Sequence, residues 1–141
     1  MSQPQNLDLA QVLRDFALSI VRDSPQGSLS RTSAATLSLL DRFGPQRITT
    51  LADRESVSQP AMTGLVQRLE ASGLVTRRID PDDGRAALIQ ITPTGTEVLT
   101  ERRRRHDDAI TARIAHLSPG DRAALAAAAT AIVNLTESHV L

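Results

Sequence analysis

Gln59, Thr63 and Gln67 recur every four residues along the segment SQPAMTGLVQRLE, in which Met62, Leu65, Val66 and Leu69 stand at i, i+3, i+4 and i+7. The apolar spacing is that of one buried helix face, so the two amides and the hydroxyl fall on the opposite, outward face. Amides and hydroxyls both donate and accept hydrogen bonds, which is the chemistry needed to read base edges in a major groove. Pro60 and Gly64 share this face, Arg68 lies at its margin, and Ser58 precedes it as the predicted N-cap. A glycine in mid-helix costs roughly 1 kcal/mol relative to alanine; on an outward face it points to close approach by something large.

A second group of charges follows in LVTRRIDPDDGR. Arg77 and Arg78 are neighbours on a β-prone run and must point to opposite faces; one can reach a phosphate and the other can pair with an acid of the following loop. Arg85 sits at the tip of that loop. Asp83, two residues earlier, would repel phosphate, so its expected role is to orient an arginine by salt bridge, either Arg85 or Arg77.

These are binding chemistries. No Ser/His/Asp set, glycine-rich phosphate loop or carboxylate pair stands at catalytic spacing. His106, His116 and His139 share no helical metal spacing. Arg102 to Arg105 resemble a nucleic-acid patch, but four consecutive helical residues fan around the axis. Glu101, Asp107 and Asp108 lie close enough to neutralise them.

The elements that must position these residues can be read around them. A short helix is predicted to start near Thr49 or Thr50, capped by hydroxyl, to carry Leu51 and Ala52 inward, and to break at Ser56-Val57-Ser58. The second helix, with Pro60 in its first turn, ends at Ser72-Gly73. Two strands then flank Asp83-Gly84, the sequence signal for a tight hairpin. The sum is a winged helix-turn-helix, a reader of double-stranded DNA.

Upstream, Leu7 to Arg22 reads as an amphipathic helix with a stripe of Leu9, Leu13, Phe16 and Ile20, widened by Val12, Ala17 and Val21. Ser30 or Thr32 opens another helix through Leu37, Leu39, Leu40 and Phe43, stopped by Gly44-Pro45. Downstream, a long helix runs from Pro93 to about His116. Ser118, Pro119 and Asp121 mark a last helix start, with Leu125, Ala128 or Ala129, Ile132 and Leu135 expected inward. The first and last helices are too apolar to stand beside a small reading lobe unless they pack together and against a second subunit.

Composition agrees. With 141 residues and zero formal net charge, no global basic field announces a histone-like or single-strand binder. All sixteen basic residues are arginine, and Phe16 and Phe43 are the only aromatics, too few for a base-stacking platform. Cysteine is absent, which removes disulfides, thiolate metal sites and cysteine redox sensing. No signal peptide and no apolar run of ~18 residues are read, so the expected location is cytoplasmic, without membrane contact and without a cofactor.

From about Gly44 to Gly95 the chain resembles the DNA-binding lobe of the MarR (multiple antibiotic resistance regulator) family of bacterial transcription factors. The matching residues are Leu51-Ala52, the SQPAMTGLVQRLE helix, Gly73-Leu74-Val75, the wing residues Asp80, Pro81, Asp83 and Arg85, and the LIQITPTG run from Leu88 to Gly95. The resemblance implies a mainly α fold. A winged helix-turn-helix lobe with a two-stranded wing (31–99) sits within a single domain (1–141), and residues 1–30 and 100–141 supply dimerisation helices. It implies that Arg85 enters the minor groove, where narrow segments attract cations. It also implies a homodimer on a near-palindromic promoter site, acting as a repressor, and a small aromatic or anionic effector bound between the dimer helices and the reading lobe. Many family members carry a bulkier or basic residue at the position of Gly64. An alternative reading keeps the helical dimer but has it act through protein–protein contacts, its winged lobe no longer binding DNA.

Overall fold

A computed structural model describes residues 8–24, 27 and 29–138. Six helices and three strands follow one another: α1 (Leu9–Arg22), α2 (Arg31–Phe43), β1 (Gln46–Arg47), α3 (Ile48–Glu55), α4 (Gln59–Ala71), β2 (Val75–Ile79), β3 (Ala87–Ile91), α5 (Pro93–Ala115) and α6 (Pro119–Glu137). The protein is thus mostly helical, with a small antiparallel sheet. Residues 26–105 form one compact unit; residues 1–25 with 106–141 form another.

The 26–105 unit is built on one apolar cluster. Leu37 and Leu40 from α2, Leu51 and Ala52 from α3, Met62, Leu65, Val66 and Leu69 from α4, Val75 and Ile89 from the sheet, and Leu99 from α5 are all buried. The i, i+3, i+4, i+7 face of α4 is therefore wholly inside. The caps explain where the helices start. Ser30 Oγ accepts the Ser33 N–H and Ser58 Oγ accepts the Ala61 N–H, while Pro60 occupies the first turn of α4. Ser56 closes α3 in the left-handed region (φ 53°, ψ 41°) and turns the chain into α4.

Two expectations for this unit are corrected. Helix α3 starts at Ile48, with Arg47 as N-cap and no side-chain cap bond, so neither Thr49 nor Thr50 caps it. The chain enters α3 directly from β1, a two-residue strand not foreseen in the sequence, which pairs Gln46 with Ile89 and Arg47 with Leu88. The sheet order is β1-β3-β2. That pairing fixes the backbone at Arg47, and the extended conformation a cap residue needs is supplied by the strand. Phe43, the last residue of α2, is half-exposed.

The junction after α4 is held by backbone proximity. Gly73 takes φ +75°, a conformation glycine adopts without steric cost. Thr92 Oγ1 donates to the Gly73 carbonyl at 2.6 Å and accepts the Gly95 N–H at 3.0 Å, while the Thr92 N–H bonds the Leu74 carbonyl. Gly95 packs so closely on that carbonyl that a Cβ there would overlap its oxygen. The ITPTG run is thus the clasp between the end of α4 and the start of α5.

In the other unit, Asp8 caps α1, and Ser118 caps α6 by accepting the Asp121 N–H. Leu7, predicted to open α1, lies outside the described residues, as does His139. No residue of α1 or α6 is buried. Leu9, Val12, Phe16 and Val21 of the α1 stripe are exposed in the single chain, Phe16 at 54%, and so are Leu125, Ile132 and Leu135 of α6, expected inward, Ile132 at 43%. No helix among the described residues is long and apolar enough to cross a membrane.

Candidate nucleic-acid interface

With Met62, Leu65, Val66 and Leu69 packed inside, α4 turns its other residues outward. Gln59, Pro60, Gln67 and Arg68 are exposed, and Thr63 and Gly64 are partly so. Ser58 caps the helix, as expected, and is itself exposed. The side chain of Arg68 lies back toward Gly64, with a guanidinium nitrogen 3.6 Å from where a Cβ would stand. That is an ordinary contact distance, so the arginine alone does not require a glycine here.

The wing is a hairpin between the two predicted runs, but its turn at Asp83-Gly84 is not a tight one. Strands β2 and β3 pair from Val75–Ile91 to Ile79–Ala87, leaving residues 80–86 as a seven-residue loop. Two aspartates shape it. Asp80 Oδ1 accepts the Asp82 N–H at 2.9 Å, and Asp83 Oδ1 accepts the Arg85 N–H at 3.0 Å; both are local side-chain turns. The loop is closed by Asp80 N–H to the Ala86 carbonyl and Ala86 N–H to the Asp83 carbonyl. Gly84 is not among the positive-φ glycines, so no mirror-image turn forms there.

Asp83 consequently acts on the backbone of Arg85 and pairs with neither the Arg85 nor the Arg77 guanidinium. The acid that orients an arginine is Asp80. Its Oδ2 accepts from Arg47 Nη2 at 2.6 Å and Nε at 2.8 Å, and the residue is only 5% exposed. The Asp82 N–H and then the Arg47 guanidinium hold the Asp80 carboxyl below the ordinary carboxylate range. This pair ties the wing root to β1 and, through it, to the start of α3. Sequence reading missed it because Arg47 and Asp80 stand 33 residues apart and β1 is too short to read. The one available signal was the aspartate before Pro81.

Arg77 pairs with Glu70 of α4 at 3.3 Å and not with an acid of the wing, because the β2 strand packs beside α4. Among the described residues Arg78 and Arg85 make no ion pair. Both line, with Arg77, a shallow open groove along the wing. Of the Arg102–Arg105 run, Arg104 binds Glu101 through two bonds (2.8 and 3.0 Å), Arg105 approaches Glu101 at 3.5 Å, and Arg103 pairs with Asp41 at 3.1 Å. Arg102 bonds the Leu29 carbonyl. Three of the four thus pair with a carboxylate, two of them sharing Glu101, and Asp41 of α2 is a partner that spacing alone did not suggest.

The geometry is therefore an outward polar helix face beside an arginine-lined wing. The model of the MarR family matches residues 29–87, which span both. Over that lobe the chain is similar to the MarR family. An HTH-type transcriptional regulator of Mycobacterium tuberculosis is 29% identical over 135 residues, 91% of this chain and 94% of its own. Among solved structures, a transcriptional regulator of Thermotoga maritima superposes with a TM-score of 0.76 at 26% identity, covering 92% of this chain and 94% of that one. A mutant of Staphylococcus aureus MepR, solved bound to an oligodeoxyribonucleotide, superposes at 0.70 and 17% identity over 90% and 96% of the two chains, a likeness of fold. The proteins it resembles over this lobe are helix-turn-helix transcriptional regulators and not enzymes.

Proposed function

We propose that the protein is a cytoplasmic homodimer that represses transcription by occupying a near-palindromic promoter site. Ser58, Gln59, Pro60, Thr63, Gly64, Gln67 and Arg68 would meet the major groove, and Arg77, Arg78, Asp83 and Arg85 would work at the wing. Asp83 serves by shaping the loop that presents Arg85. The observation that carries this reading is the α4 face, whose apolar half is fully buried while its amides, hydroxyl and glycine face solvent. Such a face satisfies base edges and has no other partner among the described residues.

Dimerisation rests on α1 and α6, which have no fully buried residue in the single chain yet carry Phe16, Ile132 and Leu135. Apolar surface of this kind is covered in solution by a like surface, and a two-fold dimer sets two recognition helices about 34–36 Å apart, one DNA turn. Release by a small aromatic or anionic effector belongs to the same reading. A ligand that prefers the form unable to span two half-sites shifts the population toward it.

Selection of the operator from random duplex DNA, followed by retardation at several salt concentrations, tests the proposal. A near-palindromic consensus bound by two chains is the expected result. Absence of any salt-dependent retardation of duplex DNA contradicts it and favours a dimer acting through protein contacts.

A further inference from the structure

Because the protein has no net charge, any attraction to a polyanion must come from arginines that are not locally neutralised. In the 26–105 unit, five arginines lack a carboxylate partner among the described residues and are not spent on a carbonyl: Arg42, Arg54, Arg68, Arg78 and Arg85. Three of them belong to the α4 face and the wing. The other two stand over one ring. The Arg54 guanidinium lies 4.4 Å and the Arg42 guanidinium 5.2 Å from the centroid of Phe43, which is 46% exposed although it closes α2.

We infer that Arg42, Phe43 and Arg54 form a phosphate clamp, a DNA-backbone contact separate from the recognition helix and the wing. Cation–π contact within about 6 Å holds a guanidinium in place without consuming its charge or its N–H donors. A carboxylate partner would have done both. The donors remain free for a diester oxygen, to which guanidinium binds in fork geometry. Arg54 belongs to α3, the first helix of the helix-turn-helix, and in this motif that helix crosses the sugar-phosphate backbone while the second enters the groove. An exposed phenylalanine at the end of α2 is otherwise a loss; as a platform for two unpaired cations it has a use. The clamp carries no base information, so it sets affinity and register and leaves sequence preference to α4.

This inference rests on the DNA-binding reading, and the test separates the two. Salt titrations of duplex binding are run for the full-length protein and for Arg54→Ala, Arg54→Lys, Arg85→Ala and Arg122→Ala, with thermal midpoints measured in parallel. Arg54→Ala should reduce the slope of log K against log salt by about 0.9 per copy of the site and weaken operator and scrambled duplex by the same factor. Arg54→Lys, which keeps the charge, should restore most of the slope. Arg122→Ala, an equal charge change in α6, should leave the slope unchanged. If Arg54→Ala lowers the midpoint but not the slope, the stack is structural and the clamp is overturned, whatever Arg85→Ala does. If Arg122→Ala flattens the slope equally, the effect is net charge and the clamp is again overturned. No duplex binding by the unaltered protein overturns the DNA reading and the clamp together.

Discussion

Arg47 and Asp80 meet through two hydrogen bonds to a single carboxylate oxygen, at 2.6 and 2.8 Å, across 33 residues of chain. The pair joins the two-residue strand that launches α3 to the root of the wing. Asp80's other oxygen holds the Asp82 N–H, so one nearly buried carboxylate sets both the loop's internal turn and its attachment. A wing tied at its root presents Arg85 from a defined place, which a free seven-residue loop would not.

Removing that charge makes a pH-dependent prediction. The folded Asp80 carboxyl titrates below its unfolded value near 3.8. The unfolded chain therefore binds the proton first as pH falls, and stability rises with pH through that window. The contribution is fully present above the unfolded value and is lost as pH falls through the folded one. Asp80→Asn should be less stable than the unaltered protein at pH 7, with the gap closing below about pH 3.8. Glu101, also lowered, by Arg104, titrates in the same window in both proteins, so the difference between them isolates Asp80. Urea melts across pH check this; a gap independent of pH contradicts it.

The Gly95 contact predicts the cost of one methyl. Gly95→Ala forces the Leu74 carbonyl, an acceptor for Thr92, to move. Backbone shifts of this kind cost about 1–3 kcal/mol. Chemical denaturation should show a loss in that range, and a change within about 0.5 kcal/mol, the size of an ordinary surface substitution, would mean the clasp yields freely.

How much of this was legible in the sequence differs by scale. The α4 face, its Ser58 cap and the buried Met62, Leu65, Val66 and Leu69 could be read because a helix repeats its environment every three to four residues. The strands flanking the wing were equally legible. The loop between them was not, because Asp83-Gly84 signals a tight turn only when nothing else competes. Here Asp80 and Asp83 each capture a nearby backbone N–H and widen the loop to seven residues. Arg47's partner was hidden by distance along the chain. The outward direction of α1 and α6 was legible as too much apolar surface, without saying where in the single chain it would lie.

That surface supplies a prediction on assembly. Ile132→Asp places a charge on an α6 residue that is exposed in the single chain, so the chain's own core loses nothing. Sedimentation velocity should find the unaltered protein dimeric at micromolar concentration and the variant shifted toward monomer, with its helical circular dichroism retained. A dimer unaffected by the change, or a monomeric unaltered protein, contradicts dimerisation through these helices.

The central claim is that the α4 face reads bases while the wing arginine supplies charge. Its most direct test is a pair of salt titrations, on selected operator and on scrambled duplex, for Arg85→Ala and Gln67→Ala. Arg85→Ala should weaken both duplexes together, by about 1–3 kcal/mol per site, and flatten the salt dependence. Gln67→Ala should lower the ratio of operator to scrambled affinity and leave the salt slope nearly unchanged. Small and equal effects from both variants on both duplexes would contradict the assignment of this helix face and this wing to DNA.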